Sequence, residues 1–326
     1  MLPARNNKLT DLLQNKLNLK RPSARSYASL IRRLFNMLKK TGPLKLGFLD
    51  TDAAVRASRS IVNVGRRKNV AAAALAGTRA ADINQKRQNE YRKIMLSADM
   101  DYKKWASSGK RPKGFTGDAE KLWADIRNMH KKVGRVITAK NIFKRSSHNY
   151  TELTVLQQYV FAKLLSHFEP RRLEVSRLRF ITPDQLRLFS PSDIKKMNYI
   201  LMAPKHWQLV YNYYKTSRSY GAQSYKIPPG LKTTLKKVYA IFSKTVPEGW
   251  VFFTRNNRPM SHSSFSKFVK EFFKTYFGRS WTQNTVRSIR VSALFKNAPS
   301  TQTLLDTQSG MGSNLSTLAL NYRVPQ

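Results

Sequence analysis

Residues 206–231 read HWQLVYNYYKTSRSYGAQSYKIPPGL. Trp207, Leu209, Val210, Tyr211, Tyr213 and Tyr214 make the first part dense in β-branched and aromatic side chains. Ser219, Tyr220, Gly221 and Ala222 supply a turn, and Ser224, Tyr225, Lys226 and Ile227 form a second short run that Pro228 and Pro229 close. That order predicts a β-hairpin. On both sides of it the apolar residues recur three and four positions apart, which is the helical period. The fold expected is therefore mainly α with a small β-sheet.

Working outward, Leu231, Leu235, Val238, Ile241 and Phe242 form one helical stripe. Val251, Phe252 and Phe253 read as a short buried strand, and helices are expected at about 261–277 and 282–296. Upstream, a helix over about 151–167 ends at Glu169 and Pro170, with a second helical start at Arg171. Tyr27, Leu30, Ile31, Leu34, Phe35 and Leu38 place an amphipathic helix over residues 23–40, with Ser23 as its N-cap and Arg25, Arg32, Arg33 and Lys39 off the apolar stripe. Further helices are expected at about 51–63, 67–77, 79–106 and 117–132, with an exposed loop from Ala106 to Gly117. Periodicity fades between 133 and 150. The expected organisation is a helical domain at 1–132, a linker at 133–150 and an α+β domain at 151–326.

The 326 residues carry 60 Lys and Arg against 18 Asp and Glu, a formal charge of +42. Like charge at that density repels itself unless a polyanion offsets it, and nucleic acid is the leading partner. Residues 1–150 hold 34 basic and 10 acidic residues, and residues 151–326 hold 26 and 8, so both parts are suited to phosphate backbone. Neutralising ten phosphates would make affinity fall as roughly the ninth power of salt concentration. Cysteine is absent, which excludes disulfides, thiolate catalysis and cysteine-ligated zinc or iron–sulfur sites. No apolar run approaches the roughly 18 residues of a membrane span, and the charged N-terminal segment does not read as a signal peptide. An intracellular protein is expected. No cofactor is expected either: there is no phosphate-binding Gly-rich loop, and the acidic residues of the second half do not cluster as a two-metal site would need.

Four places in the second half stand out by spacing. Arg171 is followed by Glu174 three residues on and by Leu178 seven residues on. Lys215 precedes Thr216 at the hairpin. Asn284, Thr285, Val286 and Arg287 open a helix, with Arg290 one turn further. Gly312 and Ser313 precede Tyr322, which stands nine residues after Ser313, and Ser316 and Thr317 lie between. In order and separation this set resembles the catalytic domain of the tyrosine recombinases, the phage-integrase superfamily. The resemblance covers roughly residues 150–326, and the basic helices before them are similar in outline to that family's core-binding domain, which with the catalytic domain clamps duplex DNA.

The resemblance implies a role for each residue. Arg171 and Arg287 would hold the non-bridging oxygens of the scissile phosphate, since the planar guanidinium matches two oxygens at once. Arg172 competes with Arg171 for the first role, and Arg290 is a second candidate helper. Lys215 would protonate the leaving 5′ oxygen. Tyr322 would be the nucleophile. Asn284 and Ser313 stand where the family carries histidines; they can hydrogen-bond a phosphate oxygen, but Asn284 cannot take up a proton. The function implied is DNA cleavage and rejoining through a covalent 3′-phosphotyrosine, by a homotetramer on paired double-stranded DNA sites, in a viral or mobile-element integrase acting in a nucleus or viral compartment. Two alternatives remain open: a type IB topoisomerase-like enzyme, and a non-catalytic DNA-binding or packaging protein that keeps the recombinase fold.

Overall fold

The computed structural model describes residues 7–107, 114–296 and 299–313, and in it the chain separates into two units, Met1–Arg111 and Pro112–Gln326. The helical periodicity of the first unit becomes α1 (Asn7–Leu17), α2 (Arg21–Met37), α3 (Asp52–Arg59), α4 (Val64–Ala80) and α5 (Gln85–Ser107). The amphipathic helix expected over 23–40 is α2, shifted toward the N-terminus. Lys20, not Ser23, is its N-cap, because Pro22 lacks an amide hydrogen and is best placed in a first turn. Thr51 and Asn63 cap α3 and α4 by accepting from the amides of Ala54 and Arg66.

The alanine run sits at the centre of this unit. Nearly all of α4 from Val70 to Ala80 is buried, and α1, α2, α3 and α5 pack around it. Small side chains let those neighbours come close: a Cβ on Gly77 would lie 2.6 Å from Leu49 Cδ1 and 3.0 Å from Ile31 Cδ1. Leu13, Ile31, Leu34, Leu49 and Tyr91 complete the core, and the buried Tyr91 hydroxyl donates to the Leu49 carbonyl at 3.0 Å. Each such Leu or Ile contributes about 1.5–3 kcal/mol by leaving water. Arg25, Arg33, Arg66, Lys86 and Lys93 stay exposed.

The second unit contains α6 (Ala119–Ala139), α7 (Tyr150–His167), β1 (Leu178–Ile181), α8 (Pro183–Arg187), α9 (Pro191–Ile194), β2 (Asn198–Met202), β3 (Trp207–Tyr211), α10 (Ser217–Tyr220), β4 (Gln223–Lys226), α11 (Pro229–Thr245), α12 (His262–Phe277), α13 (Gln283–Lys296) and α14 (Thr301–Met311). The division at 111/112 differs from the linker expected at 133–150. The buried stripe Ile126, Met129, Val133 and Ile137 of α6 belongs to the same core as Leu153, Leu156 and Val160 of α7, so α6 goes with the second unit. Residues 133–150 are ordered as the end of α6, a 3-10 turn at Ile142–Lys144, and the approach to α7, which Asn149 and Glu152 close as a capping box.

The sheet runs β1-β2-β3-β4, with β1 parallel to β2 and the other pairs antiparallel. The expected hairpin is β3 and β4, registered by Gln208 opposite Lys226 and Tyr211 opposite Gln223. Residues 251–253 do not form a full strand. They follow β1 through Phe180 N to Gly249 O (2.7 Å) and Val251 N to Leu178 O (2.9 Å), with isolated bridges at Arg179–Trp250 and Phe253–Pro259. The helix expected from Arg171 is a 3-10 turn at Leu173–Arg177 that leads directly into β1. Around Phe161, the rings of Phe252, Phe265, Phe268, Phe272 and Phe273 pack edge-on at 5.2–6.4 Å between centroids, fixing α7 and α12 together.

Candidate functional site

Arg171 leaves the break after α7 and turns inward, where its side chain is only 4% exposed. Its guanidinium lies over Tyr211 (4.5 Å to the ring centre), Tyr214 (5.1 Å) and Tyr225 (5.7 Å). Nη2 donates to Tyr225 Oη at 2.8 Å, to the Ser309 carbonyl at 3.3 Å and to Gln223 Oε1. Nε and Nη1 have no hydrogen-bond partner among the described residues, and none of the ion pairs there involves Arg171. Burial pushes the Tyr211 and Tyr214 hydroxyls upward, against the opposite pull of Arg171. Both phenols therefore stay neutral, and the cage offers ring faces to the cation without adding negative charge.

Arg287, on the first turns of α13, is fully buried. Nη1 donates to the carbonyls of Pro170 (2.8 Å) and Met311 (3.0 Å), and Nη2 donates to Ser313 Oγ at 2.8 Å. The end of α14 is thus the common ground of the two arginines. Gly312 takes φ +59° there, and a Cβ would stand 2.6 Å from Arg171 Nη1 and 3.2 Å from the Tyr214 ring, so both conformation and space require glycine. Gln283, beside Arg287 on α13, donates from Nε2 to the Arg171 carbonyl at 2.6 Å.

Lys215 lies between β3 and α10 with its side chain exposed, and its amide faces Glu174 Oε1 at 3.5 Å. The next residue, Thr216, donates to the Gly312 carbonyl at 2.7 Å, which ties this connection to the arginine pair. Asn198 on β2 holds the same connection. Its Nδ2 donates to the Glu174 and Tyr213 carbonyls, and its Oδ1 accepts from the amides of Asn212 and Tyr213.

Arg171, Arg287 and Ser313 therefore come together, with Lys215 one residue from that cluster. Asn284 is exposed on the first turn of α13, one turn before Arg287. Tyr322 lies outside the described residues, as do Ser316 and Thr317. Arg171 and Arg172 differ in placement: Arg171 is buried against Gly312, whereas Arg172 is half-buried at the start of the 3-10 turn. Arg290 is committed elsewhere, as Nε and Nη2 grip Glu169 at 2.7–3.0 Å while its guanidinium covers Trp123.

Sequence reasoning missed the aromatic cage, Gln223, Gln283 and Asn198. The density of tyrosines at 211–214 was a signal for the cage. Gln283 and Asn198 are isolated polar residues whose importance comes only from being buried where backbone carbonyls converge.

No family model and no curated protein matches the chain. Among solved structures it is similar to one described as "Crystal structure of XerA recombinase", at 9% sequence identity and a TM-score of 0.38, over 99% of this chain and 95% of that one. A likeness of that order says nothing about site residues or chemistry.

Proposed function

We propose that the chain is a DNA-breaking and rejoining enzyme of the tyrosine-recombinase type. The observation that carries this reading is the arginine pair: two buried guanidiniums converge on residues Ser309–Ser313, and among the described residues the hydrogen bonds of Arg171 go only to neutral acceptors. Burying a cation costs several kcal/mol, and a phosphate bound beside it offsets that cost.

In this reading Tyr322 Oη loses its proton to solvent water as it attacks the scissile phosphorus, the bond to the 5′ oxygen breaks, and Lys215 gives that oxygen its proton. Arg171 and Arg287 stabilise the charge gathering on the non-bridging oxygens, with hydrogen bonds from Asn284 and Ser313. A 5′ hydroxyl then attacks the 3′-phosphotyrosine and returns its proton to Lys215, the bond from phosphorus to Tyr322 Oη breaks, the tyrosine takes a proton from water, and the diester is restored. Since the ester conserves the bond energy, rejoining consumes no ATP. The substrate is double-stranded DNA in an intracellular, nuclear or viral compartment, with a homotetramer on paired sites if the reaction is recombination or integration.

Strand transfer is expected to persist in EDTA, and a 5′-bridging phosphorothioate, whose leaving group needs little acid, is expected to rescue Lys215→Ala selectively. Loss of transfer in EDTA, or failure of that rescue, would contradict the scheme. A second reading, a DNA-binding protein without catalysis, is favoured by one observation: Asn284 and Ser313 replace both family histidines, and Asn284 cannot take up a proton.

A further inference from the structure

Away from the arginine pair, α6 and α7 enclose an open cleft of about 480 Å³ lined by Ala124, Arg127, Asn128, His130, Lys163, Ser166 and His167. Positions 127 and 130 share one face of α6, and 163 and 167 share one face of α7, and because all four line the same cleft the two basic pairs face each other across it. Arg127 fixes the junction by donating from Nε and Nη2 to the Ser166 carbonyl at 3.2 and 3.0 Å. His130 Nδ1 is bonded to the Arg127 carbonyl (2.9 Å) and His167 Nδ1 to the Lys163 carbonyl (2.9 Å) and Ser166 Oγ (2.8 Å). Each imidazole therefore keeps its Nδ1 proton and has Nε2 left for a ligand.

Among the described residues, no carboxylate lines the cleft. On the surrounding elements, Glu169 is held by Arg290, and Asp118 and Glu120 are held by Lys296. Asp125 is exposed on α6 outside the lining, and Lys131 adds positive charge. Burial, with Lys163, His167 and Lys131 close by, holds His130 below the usual imidazole range, and burial lowers Lys163. A metal cation would be repelled by Arg127 and Lys163, whereas an anion satisfies all four basic groups.

We infer that this cleft is a second phosphate site, taking a backbone phosphate of the duplex away from the cleavage point and drawing a proton onto His130 as it binds. The inference rests on the DNA reading above. Because a bound phosphate favours the charged form of His130, which burial otherwise disfavours, binding takes up a proton there, and affinity rises as pH falls.

The test uses the full chain and a random-sequence duplex at fixed salt. Between pH 7.5 and pH 6.0 the wild type is expected to gain about fivefold more affinity than the His130→Gln/His167→Gln variant, with the two equal at pH 7.5. Lys163→Gln is expected to lower the slope of log affinity against log salt by about one. Thermal melting of each variant reports any loss of folding, and the salt slope of Lys163→Gln supplies an independent readout should the double variant be unstable. A wild-type pH response in the double variant, with an unchanged slope in Lys163→Gln, overturns this site alone. Absence of duplex binding by the wild type at every pH overturns both this site and the DNA reading.

Discussion

Arginine and glycine do different work at the end of α14. Arg171 and Arg287 each bring a full positive charge to the position proposed for the phosphate, while Asn284 and Ser313 bring neutral hydrogen bonds. Replacing either arginine by Ala is accordingly expected to slow cleavage by about a hundredfold or more, and more than replacing Asn284 or Ser313 by Ala. Single-turnover rates check the ranking, and equal losses at all four positions would contradict it. Gly312 acts through position: an Ala there meets Arg171 Nη1 and the Tyr214 ring at a left-handed φ. Gly312→Ala is expected to reduce cleavage while duplex binding by the protein persists, since it displaces the guanidinium without removing any charge. The resemblance to the tyrosine recombinases named Arg171, Arg287, Ser313 and Lys215 in one set with Asn284 and Tyr322. It could not reveal the carbonyls of Pro170, Ser309 and Met311 as their anchors, because a backbone acceptor carries no signature in side-chain identity.

Elements were legible where periodicity was strong and illegible where burial was two-sided or brief. The hairpin of β3 and β4 follows from its aromatic and β-branched runs, and most helices follow from their apolar stripes. β1 and β2, at Leu178–Ile181 and Asn198–Met202, are too short for alternation to stand out from the surrounding basic residues. The extent of α6 was also hidden. Its stripe shows that a helix exists, and only the neighbours of Ile126, Met129 and Val133 show which unit owns it. One buried side chain controls how β3 delivers Lys215: Asn198 makes four hydrogen bonds to the surrounding backbone. Asn198→Ala leaves those groups unpaired and is expected to destabilise the second unit by about 1–3 kcal/mol. Urea unfolding checks this, and a change within error of zero would show that water replaces the asparagine.

Both units are strongly basic: residues 1–111 carry 25 Lys and Arg against 7 Asp and Glu, and residues 112–326 carry 35 against 11. Since residues 1–111 enclose their own core, this fragment is expected to fold and to bind duplex DNA with steep salt dependence and little sequence preference, because phosphate contacts position a protein without specifying bases. No affinity at low salt would mean that its charge serves another polyanion. The central claim concerns the whole chain, and it is a covalent one. Full-length protein would be incubated in EDTA with a random-sequence pool of nicked duplexes, denatured, and digested so that the DNA-linked peptide can be identified by mass spectrometry. The account predicts a 3′-phosphodiester on Tyr322 that is absent from Tyr322→Phe. Linkage at another residue, equal yield from Tyr322→Phe, or no adduct from protein that binds the same duplexes would contradict it.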